Sequence, residues 1–345
     1  MAAASEVTYL NRRAVRLENE QLRVTATVEG GHIAEIRHKA SGVNPLWTPI
    51  WPSIEPSKWN RSNPIYGDYV ESHLLSGILG HNLCLDMFGP PSDSEAKQGL
   101  STHGEANVVP YECTLDGGSL VMKAQLPMAQ LRFTRKLRLD PDGKSLHIEE
   151  TVENLTALDR PIAWTQHATL GPPFLERGKT QFRASATKSR TYEQEFGDLP
   201  VGQTFDWPNA PRRDGSIYDL RVYNDRPSSS GFTTHLMDPH REKAFFVAWH
   251  PDTKVAFGYE WKRTDFPWLG IWEENNFREH PPWNRKSLTR GMEFGASPFP
   301  ETRREMIERR ELFGVPAYRW LPAKGSATAV YRAFAFTSPS VPEQV

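Results

Sequence analysis

The chain has 345 residues, and its 41 Lys plus Arg nearly balance 42 Asp plus Glu, giving a formal net charge of -1. This balance excludes the strongly basic surface typical of nucleic-acid-binding proteins and favours an uncharged partner. Hydrophobic residues make up 38% of the chain, but no apolar run approaches the roughly 20 residues of a membrane span, so composition predicts a soluble globular protein.

Alternating apolar and polar residues predict β-strands along most of the chain. The pattern begins in QLRVTATV, residues 21–28, and recurs in LRFTRKLRL, residues 131–139, and in SLHIEETV, residues 145–152. PDGK at residues 141–144 predicts a hairpin turn between the last two strands. Later aromatic and β-branched runs predict further strands in KAFFVAWH, KVAFGYEW and ATAVYRAFAF. No repeat or linker divides the sequence, so residues 1–345 are predicted to form one all-β domain.

Helical periodicity is scarce, and two stretches fit no regular element. PETRREMIERRELFG, residues 300–314, is compatible with one or two turns of helix or with a charged strand. Residues 45–68 include a Trp-rich part between 47 and 59, and residues 196–230 are rich in Pro, Gly, Asp and Ser. Long loops on a β scaffold are where sites are often built. The Trp-rich loop is therefore expected either to cover a pocket or to form an oligomer contact.

The cysteines and the N-terminus bear on cellular location. Cys84 and Cys113 are too few for a disulfide framework and lack the spacing of a zinc site. The opening residues MAAASEVTYLNRR show no basic stretch followed by an apolar segment, as a secretory signal would. Both features predict a cytoplasmic protein.

Three motifs place a histidine or a glutamate in settings that suit a site. STHGEAN puts His103 before a glycine that permits close backbone approach, and WTQHATLGPPF puts His167 near the end of a predicted strand. TRGMEFGASPFP surrounds Glu293 with apolar residues, which would raise its pKa and make it a usable base. The structural alternatives are a turn histidine, a core histidine and a glutamate paired with Arg290. Nucleotide-binding and zinc-hydrolase motifs are absent from the sequence.

Taken in order, these motifs resemble the galactose mutarotase-like superfamily, which comprises the aldose 1-epimerases and their relatives. RLENEQLRVTATVEGGHIAEIRHKASGVNPLW is similar to that family's first hairpin, and GILGHNLCLDMFGP with STHGEA is similar to its sugar-contacting Asn loop and HG motif. IEETVENLTALDRPIAWTQHATLGPPF is similar to the segment ending in the acid histidine, and FPWLGIWEENN with GMEFGASPF to the aromatic strand and the glutamate. The resemblance implies a large antiparallel β-sandwich, the galactose mutarotase-like supersandwich, whose concave face holds a free sugar.

The resemblance also implies roles for three residues. Glu293 matches the base that takes the proton of the anomeric hydroxyl, His167 matches the acid that protonates the ring oxygen, and His103 matches the histidine that holds and polarises the sugar. Opening a cyclic hemiacetal indeed needs one group to take the O1 proton and another to give one to O5. The implied activity is that of an aldose 1-epimerase, an isomerase interconverting the α and β anomers of a hexose or modified hexose without metal or organic cofactor.

The sequence departs from the family at the substrate-binding positions. The usual Asn-Arg pair of the early loop is replaced by His81-Asn82, where Asn82 is either a sugar contact or a turn residue. The family's further carboxylate has no clear match, and Asp238 and then Asp225 are the candidates. Trp272 is a candidate stacking platform for the sugar, although Trp in a strand is more often a core residue.

Two other functions stay open from the sequence. The first is a noncatalytic carbohydrate-binding sandwich, and the second is another carbohydrate-active enzyme, such as a glycosidase, which needs two carboxylates flanking a glycosidic bond. Glu273-Glu274 is a tempting pair, but adjacent strand residues point to opposite faces. An anionic substituent on the sugar would need a cation, for which the candidates in loops near the site are Arg61, Arg263 and Arg278. The sugar's identity and the oligomeric state are not determined by the sequence.

Overall fold

The structure is a computed structural model that describes residues 3–345. Strands account for 46% of it and helices for 6%, which confirms the all-β prediction. The first half of the chain contributes ten strands: β1 (Ala3–Tyr9), β2 (Arg12–Glu18), β3 (Leu22–Thr27), β4 (Ile33–His38), β5 (His81–Asp86), β6 (Glu112–Asp116), β7 (Ser119–Leu126), β8 (Leu131–Leu139), β9 (Ser145–Asn154) and β10 (Arg160–Leu170).

The second half contributes shorter strands and then long ones. They are β11 (Gln181–Ala184), β12 (Ala186–Thr191), β13 (Thr204–Asp206), β14 (Asn209–Pro211), β15 (Ile217–Asp219), β16 (Ser229–Met237), β17 (Lys243–Trp249), β18 (Val255–Lys262), β19 (Trp268–Asn275), β20 (Leu288–Gly295), β21 (Glu311–Leu312), β22 (Val315–Pro316), β23 (Arg319–Leu321) and β24 (Ser326–Thr337).

Helices are few and short in the described chain. They are a 3-10 helix (Pro56–Lys58), α1 (Ser72–Gly77), α2 (Asp93–Lys97) and α3 (Arg303–Arg309). Within residues 3–345, no helix has the length and apolar character that crossing a membrane would take. The helical alternative for residues 300–314 is confirmed by α3, where Thr302 and Glu305 form a reciprocal capping box.

Two large sheets, in which all the paired strands are antiparallel, form the sandwich. Twelve strands make the first sheet, in the order β1-β2-β3-β4-β5-β10-β20-β19-β16-β12-β13, with β23 paired to β10. Eight strands make the second, in the order β11-β17-β18-β24-β9-β8-β7-β6. The predicted hairpin at PDGK joins β8 to β9. The predicted large antiparallel sandwich is therefore confirmed.

The hydrophobic core lies between the two sheets. Phe294 of β20 stacks on Trp261 of β18 with ring centroids 4.3 Å apart and also contacts Tyr259. Alternation of side chains along each strand sends apolar residues inward, as Leu131, Phe133 and Leu137 show on β8. Burial of these rings and aliphatic groups is the main force holding the sheets together.

One inward position of β8 carries a charge that the alternation pattern did not reveal. Arg135 is fully buried, and its Nε donates to Glu150 Oε1 at 2.7 Å. The other carboxylate oxygen of Glu150 accepts hydrogen bonds from Trp164 Nε1 at 3.0 Å and Gln166 Nε2 at 2.6 Å. This buried pair therefore connects the second sheet to β10 of the first.

Of the two stretches predicted to be irregular, only the first lacks strands in the structure. Residues 45–68 contain no strand, and their Trp47 and Trp51 pack against Trp283 with centroids 5.8 and 4.9 Å apart. Residues 196–230, by contrast, hold the strands β13, β14 and β15, so the prediction of an irregular segment was wrong in part. Each of these strands has three residues, which is too short for an alternation pattern to show.

Candidate active site

The candidate site lies on the outer face of the twelve-stranded sheet, opposite the core. His167 on β10 pairs with Glu293 on β20 and, on its other side, with Asn82 on β5. Directly opposed residues of neighbouring strands project to the same face of a sheet. Asn82, His167 and Glu293 therefore form one row across three strands, although they are far apart in sequence.

A cavity of about 310 Å³ lies over this row. Its walls come from α1, from the loops around residues 90 and 300, and from the outer face of β19 and β16. The lining residues are Val70, Glu71, Leu74, Leu75, Ile78, Gly89, Pro90, Thr102, His103, His167, Tyr192, Phe196, Phe232, Trp272, Arg278, Trp283, Glu293 and Pro300. The volume is at the lower end of the roughly 300–1,000 Å³ of ligand pockets, so it suits one small ligand.

His167 and Glu293 meet at the floor of the cavity. His167 Nε2 lies 3.0 Å from Glu293 Oε1, and both side chains are buried. The angle at which the two atoms approach each other does not suit a hydrogen bond, so Glu293 Oε1 has no hydrogen-bond partner among the described residues. On the other side of the ring, His167 Nδ1 is 3.0 Å from Thr169 Oγ1. The contact with Thr169 orients the His167 ring, and both His167 and Glu293 line the cavity.

Burial sets the charge of this pair. It raises the pKa of Glu293 to about 8, and it lowers the pKa of His167 well below the usual value. At neutral pH the favoured state is therefore a protonated Glu293 beside a neutral His167. The resemblance implies the opposite arrangement, with Glu293 as base and His167 as acid. Both arrangements hold the same single proton, placed on different atoms.

His103 enters the cavity from the loop between α2 and β6. Its Nδ1 lies 2.5 Å from the Phe88 carbonyl oxygen, and since a carbonyl only accepts, Nδ1 carries the hydrogen. Burial lowers the pKa of His103 to about 4, so the ring is neutral and Nε2 is an acceptor. Gly104 makes the close backbone approach expected of it, because a Cβ there would lie 2.2 Å from the Leu85 oxygen. The His103 ring is 5.2 Å from that of His167.

Trp272 and Arg278 form one wall beside the acid-base pair. The partly buried Trp272 ring lies 6.0 Å from the ring of His167, where it could stack on a bound ligand. Arg278 lies over Trp272 and Trp283, at 5.5 and 5.0 Å from the ring centroids. Of the three arginines proposed from the sequence, Arg278 alone lines the cavity.

Glu71 is the site residue that the sequence analysis missed. Both its carboxylate oxygens lie 3.1–3.2 Å from Arg278 Nη1. Burial opposes its charge, but Arg278 and His280 prevail and lower the pKa of Glu71 to about 2. Nothing in the local sequence marks Glu71, because its partner lies 207 residues further along the chain.

Three predicted binding residues lie away from the cavity. His81 is adjacent to Asn82, so its ring points to the core, where it meets Tyr259 Oη at 2.9 Å and Gln166 Oε1 at 3.0 Å. Asp238 accepts from the His240 backbone in a turn after β16, and Asp225 is exposed. Contrary to prediction, none of the three lines the cavity, and the second carboxylate that does is Glu71.

Asn82 occupies an intermediate position. It belongs to the row beside His167, and its side chain is fully buried without contributing to the cavity lining. Neither its amide oxygen nor its nitrogen has a partner among the described residues. A buried amide left unpaired is costly, so this side chain is available for a water or ligand hydroxyl that reaches the floor.

Gly291 leaves the space into which the Glu293 carboxylate extends. A Cβ at Gly291 would lie 2.3 Å from Glu293 Oε1, the flexible end of that side chain. Gly291→Ala is therefore expected to leave the protein folded while displacing the carboxylate, with kcat for any acid-base reaction here reduced at least tenfold and KM changed little. Steady-state kinetics and thermal unfolding of the variant test this; a normal kcat would show that the carboxylate position is immaterial.

A possible metal-binding group lies outside the cavity. Glu176, His250 and Asp252 bring their ligand atoms within 4.8 Å of one another. Lys179 Nζ already lies 2.7 Å from Glu176 and 3.2 Å from Asp252, so an ammonium group balances these carboxylates. None of these four residues lines the cavity described above.

Solved structures share this fold across nearly the whole chain. A Klebsiella pneumoniae protein named "putative aldose 1-epimerase" has a TM-score of 0.69 at 14% identity, covering 98% of this chain and 85% of that one. A galactose mutarotase-like protein from Clostridium acetobutylicum has a TM-score of 0.64 at 15% identity, covering 98% and 99%. An Escherichia coli protein, also named "putative aldose 1-epimerase", has a TM-score of 0.63 at 12% identity, covering 97% of this chain and 100% of that one. The chain thus has the galactose mutarotase-like β-sandwich fold.

Sequence comparison places the chain in a family within that fold. Residues 84–276, more than half of the chain, match the family described as Domain of unknown function (DUF4432), and the chain belongs to this family. The matched part contains His103, His167 and Trp272 but ends before Glu293. No curated protein matches the sequence.

Proposed function

We propose that the protein is an acid-base isomerase of the aldose 1-epimerase type, which opens and closes the ring of a free sugar in this cavity. The supporting observation is the 3.0 Å separation of His167 Nε2 and Glu293 Oε1 at the cavity floor. O1 and O5 of a cyclic sugar are bonded to the same carbon. An acid and a base that lie close together, as these two groups do, can therefore serve both oxygens.

The protonation states of the pair, a protonated Glu293 and a neutral His167, suggest which residue donates a proton to the sugar and which accepts one. Glu293 gives its proton to O5 while His167 takes the proton of the O1 hydroxyl, the C1–O5 bond breaks, and C1–O1 becomes a carbonyl. After rotation about C1–C2, O5 attacks the other face of C1, Glu293 recovers its proton and His167 returns the other to O1. His103 Nε2 accepts a hydrogen bond from a sugar hydroxyl, and the Trp272 ring packs against the sugar face.

The opposite starting arrangement, an ionised Glu293 beside a protonated His167, contains the same proton count and gives the same pH-rate profile. The nitrogen chemical shifts of His167 distinguish the two, because a neutral ring has one unprotonated nitrogen and an imidazolium has none. We expect a neutral ring at pH 7 in the free protein, since burial disfavours both charges.

The pH dependence follows from the proton that the pair must hold. Because the pKa of Glu293 is raised to about 8, kcat/KM is expected to fall tenfold per pH unit as pH rises above about 8, where the pair loses its proton. Anomer exchange rates between pH 6 and 10, corrected for the uncatalysed reaction, measure this. A rate that rises through pH 8 would mean that Glu293 acts as a base alone, with solvent as the acid.

The direct test of the function is magnetisation-exchange NMR on equilibrated α and β anomers of free sugars, with and without protein. Exchange faster than the uncatalysed rate, and absent in Glu293→Gln, is the expected result. Unchanged exchange for all sugars in folded protein would contradict the proposal. A noncatalytic carbohydrate-binding protein would then show binding by calorimetry without exchange.

A glycosidase is the second candidate, because the cavity contains two carboxyl groups with opposite pKa directions. The pKa of Glu293 is raised and that of Glu71 is lowered, as for an acid and an ionised partner. We prefer the epimerase function because Arg278 already binds both oxygens of Glu71, which leaves this carboxylate less available as a nucleophile or base. Release of reducing sugar from glycosides, lost in Glu71→Gln, would favour the glycosidase.

We also propose that residues 1–345 form a single domain. The main hydrophobic cluster supports this, because it contains Trp164 and Phe294 from the first sheet together with Phe257 and Tyr331 from the second. A cytoplasmic location stays a prediction.

A further inference from the structure

The cavity has one aliphatic and one aromatic wall. Leu74, Leu75 and Ile78, in and directly after α1, form the aliphatic side, and Phe232 and Trp272 lie on the sheet. Aromatic rings pack well on the C–H faces of sugars, but an aliphatic wall offers no hydrogen bond to a hydroxyl. A ligand filling this space must therefore present carbon-bound hydrogen to α1.

The cavity has no free positive charge on the residues that line it. Arg278 contributes the permanent cation, and both oxygens of Glu71 lie 3.1–3.2 Å from its Nη1. Its Nε is a further 3.6 Å from Glu274 Oε2. The guanidinium group is thus already paired, and a phosphate or carboxylate on the ligand would have to compete with Glu71 for it. Displacing Glu71 from this partly buried ion pair would leave a charge without its partner.

Polar partners for hydroxyl groups lie outside the aliphatic wall. Beside the Arg278–Glu71 pair, the lining offers Thr102, His103, the Tyr192 hydroxyl, the indole N–H groups of Trp272 and Trp283 and the acid-base pair itself, and the unpaired Asn82 amide lies at the floor. Each buried hydroxyl without a partner costs about 1–3 kcal/mol, roughly a 5- to 150-fold loss of affinity. A sugar with hydroxyl groups on every carbon would leave at least one against the aliphatic wall.

We infer, building on the proposed function, that the substrate is an uncharged sugar that lacks a hydroxyl group, or carries an alkyl group instead, on the side facing α1. Deoxy sugars are the simplest members of this class. The aliphatic wall then buries a methyl or methylene group, and the polar residues at the floor engage the anomeric centre.

Matched sugars differing at one carbon test the inference. D-Fucose, D-galactose, D-galactose 6-phosphate and D-galacturonate share their ring stereochemistry, as do D-rhamnose and D-mannose, and 2-deoxy-D-glucose and D-glucose form a third comparison. We expect kcat/KM for anomer exchange to be at least tenfold higher for a deoxy sugar than for its parent sugar. For the phosphate and the uronate, kcat/KM should be lower than for the parent sugar. A parent sugar, phosphate or uronate that is the best substrate would overturn the inference while leaving the epimerase function intact.

Binding separates the two proposals when no sugar exchanges. Complete absence of exchange would contradict the proposed function, and calorimetric affinities for the same sugars would then decide the substrate class. Tighter binding of the deoxy sugars would support the inference, whereas equal or weaker binding would overturn it.

Two variants probe the walls themselves. Leu75→Asn adds hydrogen-bonding groups to the aliphatic wall and should reduce the preference for the deoxy sugar at least fivefold. Leu158→Asn, at a 75% exposed position outside the lining, is the matched control and should leave it unchanged. If Leu75→Asn fails to fold, Glu71→Gln frees Arg278 and should improve affinity for the phosphate at least tenfold. An unchanged preference for the deoxy sugar in folded Leu75→Asn, or an unchanged affinity for the phosphate in folded Glu71→Gln, would count against the inference. If neither variant folds, the comparison of sugars with the wild-type protein decides.

Discussion

Replacing Glu293 with Gln is expected to slow anomer exchange by about 10²–10⁴-fold, the usual contribution of a general acid or base. The amide has nearly the shape of the protonated carboxyl group but can neither give its proton to O5 nor recover it. Exchange rates from magnetisation-transfer NMR measure the loss. Glu149→Gln is the matched control, since Glu149 is exposed on β9, and its exchange rate should equal that of the wild type.

The same substitution is expected to stabilise the fold at neutral pH. With its pKa raised from 4.5 to about 8, Glu293 is ionised in the unfolded chain but protonated in the folded protein at pH 7. The contribution of Glu293 to the stability of the wild type is therefore full below about pH 4.5 and declines as pH rises toward 8. Removing the group should raise the free energy of unfolding by about 3 kcal/mol at pH 7 and change it little at pH 4.

Urea unfolding of both proteins at pH 4 and pH 7 measures this difference. Loss of activity together with a gain in stability is typical of a buried functional carboxyl group, because a residue kept for folding would show the reverse. A Glu293→Gln variant that is less stable than the wild type at pH 7 would show that the side chain is ionised and paired in the folded protein.

His103, His167 and Glu293 were predicted from three motifs and a family resemblance, whereas strand alternation, a local rule, decides which neighbouring residues share a face. The rule assigned Glu273 and Glu274 to opposite faces, and the structure agrees, with Glu273 bound to Arg290 in the interior and Glu274 bound to the backbone of Phe277 beside the cavity. The same rule applied to His81 and Asn82 shows that only one of them can face the cavity side of the sheet. The wrong prediction for His81 came from matching a motif without applying the pleat.

The remaining features depend on contacts between distant parts of the chain. Arg278 binds Glu71 in the cavity wall, and no local sequence pattern around either residue predicts this contact. Arg135 likewise occupies an inward position that alternation assigns to an apolar residue, and Glu150 on the neighbouring strand neutralises it. Such pairs are visible only once the strands are in register.

Replacing Glu150 with Gln is expected to lower the free energy of unfolding by about 3–5 kcal/mol, the cost of leaving a buried charge without its partner. Arg135 is fully buried, and Glu150 is the carboxylate that binds its Nε at 2.7 Å. Urea unfolding at pH 7 measures the loss. Glu149→Gln makes the same chemical change one residue earlier, on the exposed face of β9, and should alter stability by less than about 0.5 kcal/mol.

The Glu150 substitution should also reach the active site through β10. Glu150 Oε2 accepts hydrogen bonds from Trp164 and Gln166, and Gln166 directly precedes His167. Because an amide at position 150 cannot accept both bonds and also neutralise Arg135, the strand behind His167 loses its fixed contacts to the second sheet. We therefore expect folded Glu150→Gln to exchange anomers more slowly, with its pH profile unchanged because the Glu293–His167 pair is intact. A shifted profile would mean that the buried charge at Arg135 acts on the pair directly.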